Sequence, residues 1–129
     1  MYTGLAVVLA SLAGFRIWDK YLANDEYRAY QETESRYSEA MTQDTYGGKT
    51  QEETISLFIT ALKAKDVDLA SKYFILDSNL SRDRWLRTLT IFKEQGILDD
   101  MVSDIEKNPS IVELKFNEYS HVWKVVNFK

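Results

Sequence analysis

The 129-residue sequence has no cysteine, one proline, one histidine and five glycines, and its 16 basic residues are outnumbered by 20 acids. Without cysteine there is no disulfide, thiolate metal site, cysteine nucleophile or lipid-modified cysteine anchor. That absence is compatible with either redox compartment. The net charge of -4 and pI near 5.0 argue against wrapping nucleic acid, which requires a basic face, so no nucleic-acid partner is expected. A single proline, Pro109, leaves the rest of the chain free for long helices. A composition 45% hydrophobic and 28% charged is that of a folded protein.

Two of the five glycines stand in "DTYGGKTQEE", where Gly48-Lys49-Thr50 resembles the end of a phosphate-binding loop. Such a loop opens on a glycine five residues before its second glycine and follows a buried strand. Position 43 is Gln43, and the preceding "SRYSEAMTQDTY" is polar and helix-compatible. Thr50-Gln51-Glu52-Glu53 reads instead as a capping box, with the Thr50 hydroxyl accepting from the Glu53 N–H and the Glu53 carboxylate returning to the Thr50 N–H. Gly47-Gly48 then reads as a flexible joint before the helix. No cofactor motif is present.

Residues 1–18, "MYTGLAVVLASLAGFRIW", are apolar except for Thr3, Ser11 and Arg16. About 20 residues typically span a bilayer and about 17 are a minimum. A retained single-pass anchor is the preferred reading, with Arg16, Trp18, Lys20 and Tyr21 at one membrane interface. A signal peptide cleaved after Ser11-Leu12-Ala13 and a buried core helix are the alternatives. Arg16 and Lys20 follow the segment, so the positive-inside rule taken literally leaves the body cytoplasmic.

From Asp19 to Thr42 neither proline nor glycine interrupts the chain, and Tyr27, Tyr30, Tyr37 and Met41 recur at helical spacing among charges. This predicts a helical stalk. Its tyrosines form either a contact surface for a partner or, preferred because it is thin, a face docked on the protein's own body. The expected organisation is an anchor and stalk over 1–46, a Gly-rich joint at 47–49 and a body over 50–129.

The body is predicted to be α+β and mainly helical. Ile55, Phe58, Ile59 and Leu62 mark one helix from Thr50, and Asp66 caps a second carrying Val67, Ala70, Tyr73 and Phe74. Ser81 caps a third with Trp85, Leu86, Leu89 and Phe92, ending near Gly96. A fourth runs from Ile97 to Lys107 and stops at Asn108-Pro109. The period then becomes two. Ile111 to Phe116 and Val122 to Phe128 read as strands, with Asn117 to His121 as the loop between them. Trp85 and Trp123 are expected in the core.

"TISLFITALKAKDVDLASKYF", Thr54 to Phe74, resembles the opening helical pair of small NTF2-like domains that bacteria carry behind a membrane anchor, and "VWKVVNF" is similar to their last strand. The resemblance covers about a third of the chain. It implies a reduced form, because the residues after Pro109 suffice for one hairpin, and a body outside the cytoplasmic membrane. It carries over no catalytic residue. The long N-terminal helix, half apolar and half polar, also resembles the plan of type IV pilin-like subunits, though position 5 is Leu5 where those have a glutamate.

Candidate chemistry is sparse. His121 reads as a loop residue. Asp99, Asp100, Asp104 and Glu106 lack the spacing of a calcium loop and read as a solvated helix face, and Arg82, Arg84 and Arg87 beside Trp85 read as a water-facing side. No catalytic, metal or cofactor residue is assigned. The sequence therefore predicts a membrane-anchored, extracytoplasmic, non-enzymatic binding or assembly protein that uses a protein partner or self-association. A pilin-like filament subunit is the alternative, and a small NTF2-like enzyme the weaker one.

Overall fold

In the computed structural model, residues 28–129 are described. Arg16, Trp18, Lys20, Tyr21 and Tyr27, and with them the expected anchor, lie outside these residues. By internal contacts the chain divides into Met1–Ser38 and Glu39–Lys129. Residues 28–43 are helical (α1). The fold is α+β, with α2 (Gln51–Lys63), α3 (Val67–Lys72), α4 (Asp83–Glu94) and α5 (Leu98–Lys107) preceding a short 3-10 turn, Pro109–Ile111. An antiparallel hairpin of β1 (Val112–Asn117) and β2 (Val122–Phe128) follows.

Local chemistry sets most of the boundaries. The Thr50 hydroxyl accepts from the Glu53 N–H at 3.1 Å, as a capping box requires. The return bond is shifted by one residue, since Glu53 accepts from the Lys49 N–H and not from Thr50. Asp66 caps α3 by accepting from Leu69 N–H. Ser81 lies one residue outside the N-cap position of α4, held by Arg82, yet its hydroxyl accepts from Asp83 N–H. At the other end of α4, Gly96 takes a φ of 73° while its N–H bonds Lys93 O and the Ile97 N–H bonds Phe92 O. That pair of bonds is a Schellman ending, which needs the left-handed residue that glycine supplies most cheaply.

The core joins the helices to one face of the hairpin. Phe58, Ala61, Leu62, Ala70, Phe74, Leu89, Leu98, Ile105 and Val125 are buried together, with Trp85 stacked on Phe74 at 4.2 Å and Phe128 edge-on to both. Trp85 and Trp123, expected in the core, are only half-buried, and Trp123 packs on Phe116 next to the hairpin turn.

Two segments depart from the periodic reading. Tyr73 and Phe74 fall outside α3, because Phe74 bridges Val125 in parallel while Tyr73 O accepts from Val125 N–H and Ile75 N–H donates to Val125 O. The outer edge of β2 is thereby closed, which offsets the loss of a helical turn by satisfying strand groups. Asn117, expected in the loop, ends β1 and is buried; its amide donates to Met41 O, and its Oδ1 accepts from the N–H groups of Tyr119 and Ser120.

Gly47-Gly48 is not a flexible joint. Gly48 O accepts from Trp123 N–H, extending the closure of the β2 edge, while Gly48 N–H donates to the buried Thr54 hydroxyl, which itself donates to Trp123 O. A Cβ on Gly47 would lie 2.3 Å from Trp123 O, and one on Gly48 would lie 2.5 Å from Glu53 Cβ. Glycine is required there for close approach. Residues 41–48 thus form a strap across the hairpin, anchored by buried Met41, Asp44 and Gly48.

Candidate functional site

Beneath the strap Lys124, Asp44 and Arg82 bring three charged side chains together. Strand alternation turns Lys124 away from the Val125 face and under the strap, where it is 0% exposed. Its ammonium donates to Asp44 Oδ1 at 2.9 Å, Tyr46 O at 2.6 Å and Lys72 O at 2.6 Å. These three bonds use every donor a lysine has. Burial pushes its pKa down from 10.5 to about 8, against the opposing pull of Asp44 and with a smaller push from Arg82. Arg82 Nη1 stands 3.4 Å from Asp44 Oδ2, near enough for charge attraction but without hydrogen-bond geometry. The Tyr73 hydroxyl has a raised pKa, chiefly through burial and then through Tyr46.

This arrangement ties the strap, the end of α3 and β2 together. A cavity of about 290 Å³ adjoins it, lined by Asp68, Ser71, Lys72, Ser81, Arg82 and Asp83 among others. Lys124 does not line that cavity, so its depressed pKa is not presented to a ligand. The cluster serves as a structural clasp.

A second concavity differs in character. A groove of about 350 Å³ between α4, α5 and the end of β2 is walled by Phe92, Ile97, Met101, Ile105, Ile111 and Phe128, with Asp100 and Asp104 also lining it. The acids of α5 divide by partner. Asp99 pairs with Lys65 and Glu106 with Lys63, whereas Asp100 and Asp104 have no ion pair among the described residues. One turn apart on α5, they put two carboxylates beside an apolar groove.

The other sequence candidates disperse. Arg82 is drawn to Asp44, Arg84 lies over the Trp85 ring at 5.7 Å, and Arg87 is exposed, so the three do not form one basic patch. His121 occupies the hairpin turn with a φ of 61° and its carbonyl accepts from Lys49 Nζ at 3.4 Å. Tyr30 is 63% exposed and Tyr37 36%, whereas Met41, on the same expected stripe, is buried. No group of three metal-ligating side chains occurs among the described residues, and no helix among them is long and apolar enough to cross a membrane.

Asp44, Thr54, Asn117 and Lys124 were not singled out by sequence reasoning. Only Lys124 carries a local signal: a lysine inside "VWKVVNF" interrupts an apolar strand and calls for a buried acceptor. Its acid lies 80 residues away, which no short-range pattern encodes. No family model matches the chain, and no curated protein or solved structure matches it either.

Proposed function

We propose that this is a membrane-anchored, extracytoplasmic, non-enzymatic binding or assembly protein whose body receives an amphipathic, basic segment of a protein partner in the groove between α4, α5 and β2. One observation carries the binding reading: the apolar groove adjoins two carboxylates, Asp100 and Asp104, that lack the ion pairs made by Asp99 and Glu106. An apolar helix face would fill the groove and its lysines or arginines would meet the acids. The anchor is supported by the apolar run over 1–18, and the extracytoplasmic side by the resemblance of Thr54–Phe74 to anchored NTF2-like domains.

The test uses the full chain in membranes. Carbonate extraction should leave it in the pellet, deletion of residues 2–18 should release it, and protease should reach the body from the outer side. A synthetic Leu/Lys amphipathic peptide should bind and shift the NMR signals of Ile97, Met101 and Phe128. The Asp100→Lys/Asp104→Lys variant should lose most of that affinity. Binding indifferent to the double charge reversal, or shifts confined to another face, would overturn the groove assignment.

A further inference from the structure

The two edges of the hairpin are treated differently. Trp123 and Val125 direct their N–H groups away from β1, to Gly48 O and Tyr73 O. By alternation, Val122 and Lys124 bond inward to their register partners Asn117 and Lys115. The same alternation on β1 turns the backbone groups of Leu114 and Phe116 outward. No described residue bonds them, and neither does the strap that closes the opposite side. Beyond them, the Val112 N–H is taken by Pro109 O, which leaves the Val112 carbonyl.

Unpaired edges invite strand addition and are commonly blunted by charge. Here the charges are of opposite sign, with Glu113 and Lys115 both exposed on either side of Leu114. We infer that β1 pairs antiparallel with β1 of a second copy about a two-fold axis at Leu114, giving a four-stranded sheet across the dimer. Leu114 then faces its own counterpart and exchanges two hydrogen bonds with it. Each Phe116 N–H meets a Val112 carbonyl, and each Glu113 stands opposite a Lys115. Both charge pairs are complementary in this register, as an isologous interface demands. A shift of one residue to either side would place like charges opposite each other: centred on Glu113, Glu113 faces Glu113, and centred on Lys115, Lys115 faces Lys115. The charges therefore select one register as well as one partner.

This contact uses the edge of β1 and not the groove, and stands independently of the groove's occupant. One strand pair is smaller than a standard stable interface, so the dimer is weak in dilute solution and strengthened where copies are concentrated in one membrane.

The test is charge exchange in the full chain, reconstituted in vesicles at graded density and read by energy transfer between labelled copies. Glu113→Lys alone and Lys115→Glu alone each create two like-charged pairs and should weaken pairing roughly tenfold. The double exchange Glu113→Lys/Lys115→Glu should restore it. Mixing the two single variants should also restore it, because each then supplies the sign the other lacks. Four proteins that behave alike, whether all paired or all unpaired, would overturn the inference, as would a double exchange no better than the singles. Association through residues 1–18 would be insensitive to all these changes. Leu/Lys peptide binding measured on the same variants should be unchanged, so loss of strand pairing and failure of the groove reading are separately visible.

Discussion

Two threonines one turn apart illustrate how unequal similar residues become. Thr50 caps α2 at the surface, so Thr50→Ala should cost about 1 kcal/mol. Thr54 is fully buried and bonds both Gly48 N–H and Trp123 O. Thr54→Ala or the near-isosteric Thr54→Val leaves both backbone groups without that partner, at about 1 to 3 kcal/mol each. Urea denaturation of the two alanine variants should therefore rank Thr54 well above Thr50, and equal midpoints would contradict the strap geometry. Lys124 gives a signature in pH. Its folded pKa, about 8, is below the ordinary 10.5, so between these values the unfolded chain holds more protons and stability rises with pH, by up to about 3 kcal/mol. Asp44 and Arg82 are the charged side chains facing it. Above about pH 10 the raised pKa of Tyr73 acts in the opposite sense, since its phenol ionises more readily once unfolded. Denaturation midpoints measured from pH 7 to 10 should climb in the native chain and stay flat in Lys124→Met.

Of the helices α2 to α5, α4 has the fewest buried residues. Its only buried residue is Leu89, and the half-buried Trp85 and Phe92 supply the rest of its apolar contact. Trp85→Ala removes the stack on Phe74 and should cost about 3 kcal/mol, the low end for a tryptophan because one side is open. Hydrogen exchange should show residues 83–94 losing protection while α2 and β2 keep theirs. Uniform loss across the body would mean that α4 and the hairpin unfold as one unit. Helix positions and stops were legible before the structure: Thr50, Asp66, Gly96 and Pro109 act locally, within four residues of themselves. The shortening of α3 was not, because Tyr73 and Phe74 continue the apolar spacing and leave it only to close the edge of β2.

At the scale of the molecule, the body begins earlier than its periodic helices suggest. Contacts group Glu39–Lys129 together, and the strap over 41–48 satisfies Lys124, Asn117 and Trp123. A fragment of residues 39–129 should fold with a cooperative thermal transition. A fragment of residues 50–129 should be unfolded or lower-melting by many degrees, since it buries a lysine stripped of two of its three acceptors. Circular dichroism melts of the two fragments decide this, and equal melting temperatures would show that the strap is dispensable.

By itself the sequence determined the order and type of the elements in the body and where most helices begin and end. It also showed that Gly48-Lys49-Thr50 lacks the rest of a phosphate loop. Those are properties of periodicity and of hydrogen bonds between near neighbours, which a linear pattern contains. Only the tertiary structure decided that Gly47-Gly48 is a tight seam, that Lys124 is buried with Asp44 as its counter-ion, and that one edge of the hairpin is closed while the other has no backbone partner among the described residues. Each of those depends on which distant segment lies alongside, and a chain's local chemistry states what a group needs without naming the residue that supplies it.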